Sequence, residues 1–330
     1  MKTPKLFTLL PEEYVSTPDG MDIDWDGNLI LSCPNFATDE MSGCVIRIDK
    51  DKNITKWFDV PVHPETGIAR NMGIQFDKDW NLYICDNQGW SGKEELVFKG
   101  RVLKVSFDED GNFKKCVTMA TGMEHPNGIK VFGNYVYLTQ SLLSKVPCED
   151  GIMSCVYRFP LDAENIQITN TLEDAPYIFA TFVTKNPKVA YGVDGIEIAG
   201  NNLFIGNYGD GEVEKLVLDD NGDLVSRELY AKNPEELNST DGMCMDPETG
   251  ILYIADFNVN AIVAVWPDGT VKRLAQSPDT DGFNGELDQP GEPILYRGKI
   301  VASCFDLVVD ETKVNTQHEI PCTMSEIEPY

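Results

Sequence analysis

Six polar residues open short apolar segments at comparable places along the chain: Asp19, Asn71, Asn127, Asp194, Asp241 and Glu292. Brought to one centre, four acids and two amides would repel one another unless a cation sat among them. Oxygen donors of this kind suit Ca²⁺, Mg²⁺ or Mn²⁺ rather than a soft metal. Asp-Gly and Asn-Gly are also common turn formers, and any one of these phrases alone reads as a turn. Their recurrence at one place in six repeats is what points to a site.

Such a centre needs elements that deliver residues from distant parts of the chain to one axis. The stretch from Val193 to Leu218 shows the element. Asp194-Gly195 leads into the strand Ile196 to Ile198, and Gly200-Asn201-Asn202 turns the chain. Leu203 to Gly206 is a second strand, Gly209-Asp210-Gly211 turns again, and Glu212 to Leu218 alternates as a third. Leu224 to Leu229 supplies a fourth. One four-stranded meander cannot bury both its faces. The second-strand phrase recurs as Gly27-Asn28-Leu29, Trp80-Asn81-Leu82, Gly133-Asn134-Tyr135, Gly250-Ile251-Leu252 and Gly298-Lys299-Ile300. A meander repeated with a period of about 50 residues predicts an all-β, six-bladed β-propeller, read here as a single domain over residues 1–330. The first strand of each blade then lines the central channel, which carries the six openers to the axis. The last unit is one strand short, so the N-terminal strand Lys5 to Leu10 is expected to complete it. Excursions are expected at 34–42, 87–99 and 142–151, with a surface loop at 277–289. The prolines at 176 and 187 make 172–189 read as a loop.

The net charge of −27 excludes nucleic acid and anionic membrane surfaces as partners. Nine scattered cysteines, with no CxxC pair, argue against a disulfide framework or a zinc cluster and read as buried small hydrophobes. Nothing near Met1 has the apolar run of a signal peptide, and a cytoplasmic location is the expectation. No GxSxG, Walker or dinucleotide-binding glycine pattern occurs. Trp90, in an excursion, is a candidate pocket wall.

His125-Pro126-Asn127-Gly128, Val193-Asp194-Gly195 with Gly206-Asn207-Tyr208-Gly209-Asp210-Gly211, and Ala69-Arg70-Asn71-Met72-Gly73 with its excursion resemble the ordered blade motifs of the SMP-30/gluconolactonase family. That family includes regucalcin and the diisopropyl-fluorophosphatase-like hydrolases. The resemblance implies one catalytic divalent cation held by a glutamate, two asparagines and an aspartate. It carries these onto Glu292, Asn71, Asn127 and Asp194. Gly291-Glu292-Pro293 resembles the family's Gly-Glu-x-Pro, although the family usually draws its glutamate from the first blade. Asp19 is the competing choice. The implied ion is Ca²⁺, with Mg²⁺, Mn²⁺ or Zn²⁺ as alternatives. The implied substrate is a small lactone or ester, with Asp194 as base or nucleophile and Asp19, Arg70, His125 and Asp241 as substrate contacts. The reading from a different class is a non-catalytic propeller that binds a partner and carries a structural cation. A strictosidine-synthase-like propeller has less support, because those lack this ligand set.

Overall fold

The computed structural model describes residues 1–330. Six sheets are arranged as six blades, antiparallel except where the short strand Ile166–Gln167 joins Phe113–Met123 in parallel. Blade I is Met21–Ile23, Leu29–Cys33, Cys44–Ile48 and Ile54–Asp59; blade II is Asn71–Phe76, Leu82–Asp86, Gly100–Phe107 and Phe113–Met123. Blade III is Pro126–Phe132, Tyr135–Gln140, Ile152–Pro160 and Ile178–Thr184; blade IV is Val193–Ala199, Asn202–Asn207, Glu212–Leu218 and Leu224–Lys232. Blade V is Met243–Met245, Leu252–Asp256, Ala261–Val265 and Val271–Gln276. Blade VI takes Pro290–Tyr296, Lys299–Cys304 and Thr323–Ile327 from the C-terminal end and Lys5–Leu9 from the N-terminal end. The expected closure is therefore present, with Lys5 opposite Glu326 and Leu9 opposite Thr323. The three helical pieces are short 3-10 turns, and none is long and apolar enough to cross a membrane.

The core is divided among the six blade-to-blade seams. Leu29, Leu31 and Ile46 of blade I meet Val301 and Met324 of blade VI, and Ile30 and Val45 face Ile74, Leu82 and Ile84 of blade II. Second strands are buried on both faces, as in Leu29–Cys33, Leu82–Asp86 and Leu252–Asp256, so they read as unbroken apolar runs. The outer strand Leu224–Lys232 is largely exposed. All nine cysteines are free, and seven are buried, as expected of small hydrophobes.

One reading is corrected. Residues 172–189 are not a plain loop: Ile178–Thr184 is the fourth strand of blade III and pairs with Ile152–Pro160. The prolines bracket that strand instead of breaking it. Many of the acids that set the net charge are spent in hairpin turns. Asp24, Asp49, Asp77, Asp108 and Asp219 each accept backbone N–H bonds from residues two and four positions on, as Asp24 Oδ1 does from Asp26 and Asn28. These carboxylates need no cation.

Candidate active site

Each blade brings its first strand to the axis through the same local device. In blades II, III, IV and VI a two-residue bulge interrupts the pairing with the second strand. It comprises Met72-Gly73, Asn127-Gly128, Asp194-Gly195 and Gly291-Glu292. Asp19-Gly20 and Asp241-Gly242 hold the same place, since Gly20 and Gly242 accept from the second-strand amides of Ser32 and Ala255. The residues that reach the axis are therefore Asp19, Met72, Asn127, Asp194, Asp241 and Gly291.

The glycine after each of the first five is required by close approach rather than by a turn. A Cβ on Gly20 would lie 2.7 Å from the Met72 carbonyl oxygen, on Gly73 2.5 Å from that of Asn127, and on Gly195 2.0 Å from that of Asp241. Each glycine is where the next blade's backbone presses in. Hydroxyls on the second strands pin the same joints. Thr139 Oγ1 donates to the Asp194 carbonyl (2.6 Å), and Ser303 Oγ donates to that of Asp19 (2.7 Å).

Asp19, Asn127, Asp194 and Asp241 line a common pocket at the mouth of the channel together with His125, Tyr191, Tyr208 and Trp90. Asp19 and Asp194 are buried, Asp241 is half-buried, and all three are raised. Burial pushes Asp19 up to about 7. Asp194 is driven well above the carboxylate range by burial and then by the charges of Asp19 and Glu292, with the Asn127 amide pulling the other way. Asp241 is raised by burial and then by Asp194 and Asp19. No cationic side chain answers them. Lys313 lines the pocket but is held by Asp310 at 3.2 Å. A buried hard-oxygen set without a countercharge fits a divalent cation.

Of the four ligands implied by the family resemblance, Asn71 is elsewhere, while Glu292 lines the channel with Asp19, Asn127, Asp194 and Asp241 but turns its carboxylate to blade I. Asn71 stands one residue before its bulge, so its side chain points the other way. Its Nδ2 donates to Ser32 Oγ (2.6 Å) and to the Cys44 carbonyl (2.9 Å) in the seam with blade I. Met72 has its place on the axis. Glu292 stands where the other blades have glycine. Its carboxylate reaches across to blade I and accepts from the Met21 amide (3.1 Å). Burial raises it to about 8, and Lys130 is the charge that opposes the rise. Lys130 itself pairs with Glu197 at 3.2 Å, and its charge acts on Glu292 without a direct ion pair. Asp19, the competing choice from the first blade, lines the pocket with Asn127 and Asp194.

Arg70 is not a substrate contact. Its guanidinium, 2% exposed, donates to the carbonyls of Pro34, Asn35, Met41 and Thr38, and so holds the 34–42 excursion. Arg70→Ala would leave those carbonyls without a donor and is expected to lower stability by about 2–4 kcal/mol in chemical denaturation, with ligand affinity at the axis unchanged. His125 is at the pocket. Its Nδ1 is 3.1 Å from Asn87 Nδ2, its ring stacks 4.8 Å from Tyr191, and burial lowers it to about 4, so it is neutral at pH 7.

Above the acids, Met72, Tyr208, Phe257 and Phe305 form an apolar cap, extended by Phe36 and by Trp90, whose ring is 5.2 Å from that of Phe305. The pocket beneath measures about 30 Å³. That is the room of a single water or ion, far below the several hundred Å³ of a small-molecule site. Entry of an organic substrate therefore requires the cap to move.

A second group escaped the sequence analysis altogether. Asp288, Asp306 and Glu319 each place a carboxylate oxygen within 4.8 Å of the others, forming a candidate metal site. No other three acids, histidines or cysteines, the axial acids included, are gathered so tightly. No local spacing could have revealed it, because its members come from two separate connections flanking blade VI.

Neither a protein-family model nor a curated protein matches the sequence. Solved structures do match by shape. A gluconolactonase from Xanthomonas campestris is 16% identical with a TM-score of 0.60, covering 100% of this chain and 96% of that one. A luciferin-regenerating enzyme is 10% identical at a TM-score of 0.63, and regucalcin from Agrobacterium tumefaciens 10% identical at 0.59; each match covers 100% of this chain and 96% of the other. The fold is that of the SMP-30/gluconolactonase propeller group. The same architecture also matches a streptogramin B lyase at 14% identity and a TM-score of 0.53, covering 99% of this chain and 97% of that one. Chemistry must therefore be argued from the site.

Proposed function

We propose that this propeller is a divalent-metal-dependent hydrolase of a lactone or related small ester, acting in the cytoplasm. The observation that carries the reading is the set of three carboxylates beside the Asn127 amide, Asp19 and Asp194 buried and Asp241 half-buried, with the nearby Lys313 and Lys130 paired to other acids. Asp19, Asn127 and Asp194 would hold the ion, with Ca²⁺ expected from the hard-oxygen set, and Asp241 would complete the shell or contact substrate. Such an ion, when bound, polarises an ester carbonyl and lowers the proton affinity of the carboxylates around it. Asp194 is the residue placed to take a proton from water at a carboxylate oxygen. Its backbone is fixed by Thr139 and its side chain is adjoined by Asn127. His125, neutral and buried, orients substrate oxygen by hydrogen bonding. The aromatic cap excludes bulk water, which strengthens every charge interaction beneath it.

The test is metal analysis of the purified protein coupled to a panel of aldonolactones and aryl esters, with and without chelator. Chelator-sensitive hydrolysis restored by Ca²⁺, Mg²⁺ or Mn²⁺ is expected. Full-rate hydrolysis by chelated protein would exclude the reading. A non-catalytic propeller with a structural cation is the second reading, and the narrowness of the pocket is the observation in its favour. Metal binding with no turnover across the panel would establish it.

A further inference from the structure

We propose that Asp288, Asp306 and Glu319 form a second, Ca²⁺-class site, which clamps residues 305–322 against blade VI and so sets the position of the cap over the axial pocket. Asp288 ends the connection between blades V and VI. Asp306 and Glu319 lie at the two ends of the long connection between the strands Lys299–Cys304 and Thr323–Ile327. One bound ion would therefore tie three points of chain that the sheet itself leaves untied.

The donors are those of an incomplete coordination shell. Asp288 is 1% exposed, and neither of its carboxylate oxygens has a hydrogen-bond partner. Glu319 Oε2 is buried without one as well. Asp306 is held in place by its own contacts, accepting from Asn315 Nδ2 (3.2 Å) and from the Glu319 amide (2.8 Å). Neutral oxygens without partners adjoin the group. They are Asn315 Oδ1, and Thr323 Oγ1, which lies with the Asp288 side chain against Gly282. Unpartnered buried oxygens are rare in folded proteins and call for a ligand. Around Asp288 the further charges are Asp279 and Asp281, both of which add to the repulsion; His318 faces Asp306. The donor set is all oxygen, which selects Ca²⁺ over a transition metal.

The consequence follows from what the clamped segment carries. Phe305, Val309 and Lys313 lie on it, and all three line the axial pocket. With the site filled, the two ends of 305–322 are drawn together and the cap is held down. With the site empty, nothing but the Asp306–Asn315 and Asp306–Glu319 contacts joins the same ends. The site is distinct from the axial one and does not depend on the hydrolase reading.

The experiment is Ca²⁺ titration calorimetry and limited proteolysis on the full chain stripped of metal, comparing wild type with Asp288→Asn, Glu319→Gln and Asp194→Asn. Asp288→Asn is expected to lose one equivalent of bound Ca²⁺. Ca²⁺ should protect residues 305–322 from cleavage in wild type and in Asp194→Asn, but not in Asp288→Asn. In chelator, Asp288→Asn should melt no lower than wild type, because the carboxyl it replaces is buried without a hydrogen-bond partner. Glu319→Gln, at a less buried position, gives the same readout if Asp288→Asn folds poorly. Unchanged Ca²⁺ stoichiometry and unchanged protection in both variants would overturn the proposal. Failure of the hydrolase reading would instead appear as absent turnover with these Ca²⁺ effects intact.

Discussion

Asp194→Asn is expected to reduce lactone turnover by about 10³-fold while leaving the circular dichroism spectrum and the cooperative melt in place. The substitution keeps shape and volume and removes the oxygen that can accept a proton. It also lowers the charge around the ion, so weaker metal binding is expected alongside the loss of rate. The informative control is Asn71→Ala. The amide of Asn71 is spent on Ser32 and Cys44 in a blade seam. Its loss should lower the melting temperature and leave kcat and metal affinity within about twofold. If Asn71→Ala abolished turnover and Asp194→Asn spared it, the axial assignment would be inverted and the site described above would be wrong.

The second expected result is that metal-free protein becomes less stable as pH rises from about 6.5 to about 8. Asp19 is raised to about 7, Glu292 and Asp288 to about 8, and Asp194 and Asp241 well above their ordinary range, in each case chiefly by burial. A carboxyl whose folded value lies above its unfolded value keeps its proton longer in the native state. Its stabilisation is complete below the unfolded value near 4 and is lost as pH climbs through the folded one. His125, lowered to about 4, works in the opposite sense, but only below the ordinary histidine value of 6.5. Above about 6.5 the carboxyls act alone, and the melting temperature in excess chelator should fall by on the order of 10 °C by pH 8. Saturating Ca²⁺ should flatten the profile, since an ion at each cluster favours the ionised form. A chelated protein whose melting temperature is constant or rises over that interval would contradict the uncompensated burial of these acids.

The ring architecture could be read before any coordinates because its periodic signal is imposed by packing. The glycines at 20, 73, 128, 195 and 242 recur because a side chain there would strike the neighbouring blade's backbone. The register of the site was harder. The constant feature is the glycine, and the axial residue is the one immediately before it. Choosing the polar Asn71 over the apolar Met72 slipped one position, and in a strand a slip of one turns a side chain to the opposite face. Blade VI offered no glycine to anchor the count, because Glu292 occupies that place and its carboxylate fills the gap to Met21. Asp19, Asn127, Asp194 and Asp241 were legible as residues of the axis because each directly precedes the recurring glycine, and His125 stands two residues before Asn127. Lys130, Tyr208, Phe257 and Phe305 were not found, since each looks like ordinary strand or loop content until the channel gathers them. The Asp288 cluster depends on the fold of a connection that has no repeat partner.

The strand Lys5–Leu9 lies beside Thr323–Ile327, so the two strands of the propeller farthest apart along the chain share one sheet. A chain leaving the ribosome can assemble blades I to V in order. The strand Lys5–Leu9 must stay unpaired until Thr323–Ile327 has emerged, and its edge is open to other chains during that interval. Nascent chains stalled short of residue 323 should therefore recruit chaperones at Lys5–Leu9, and that demand should vanish once Thr323–Ile327 has emerged and paired.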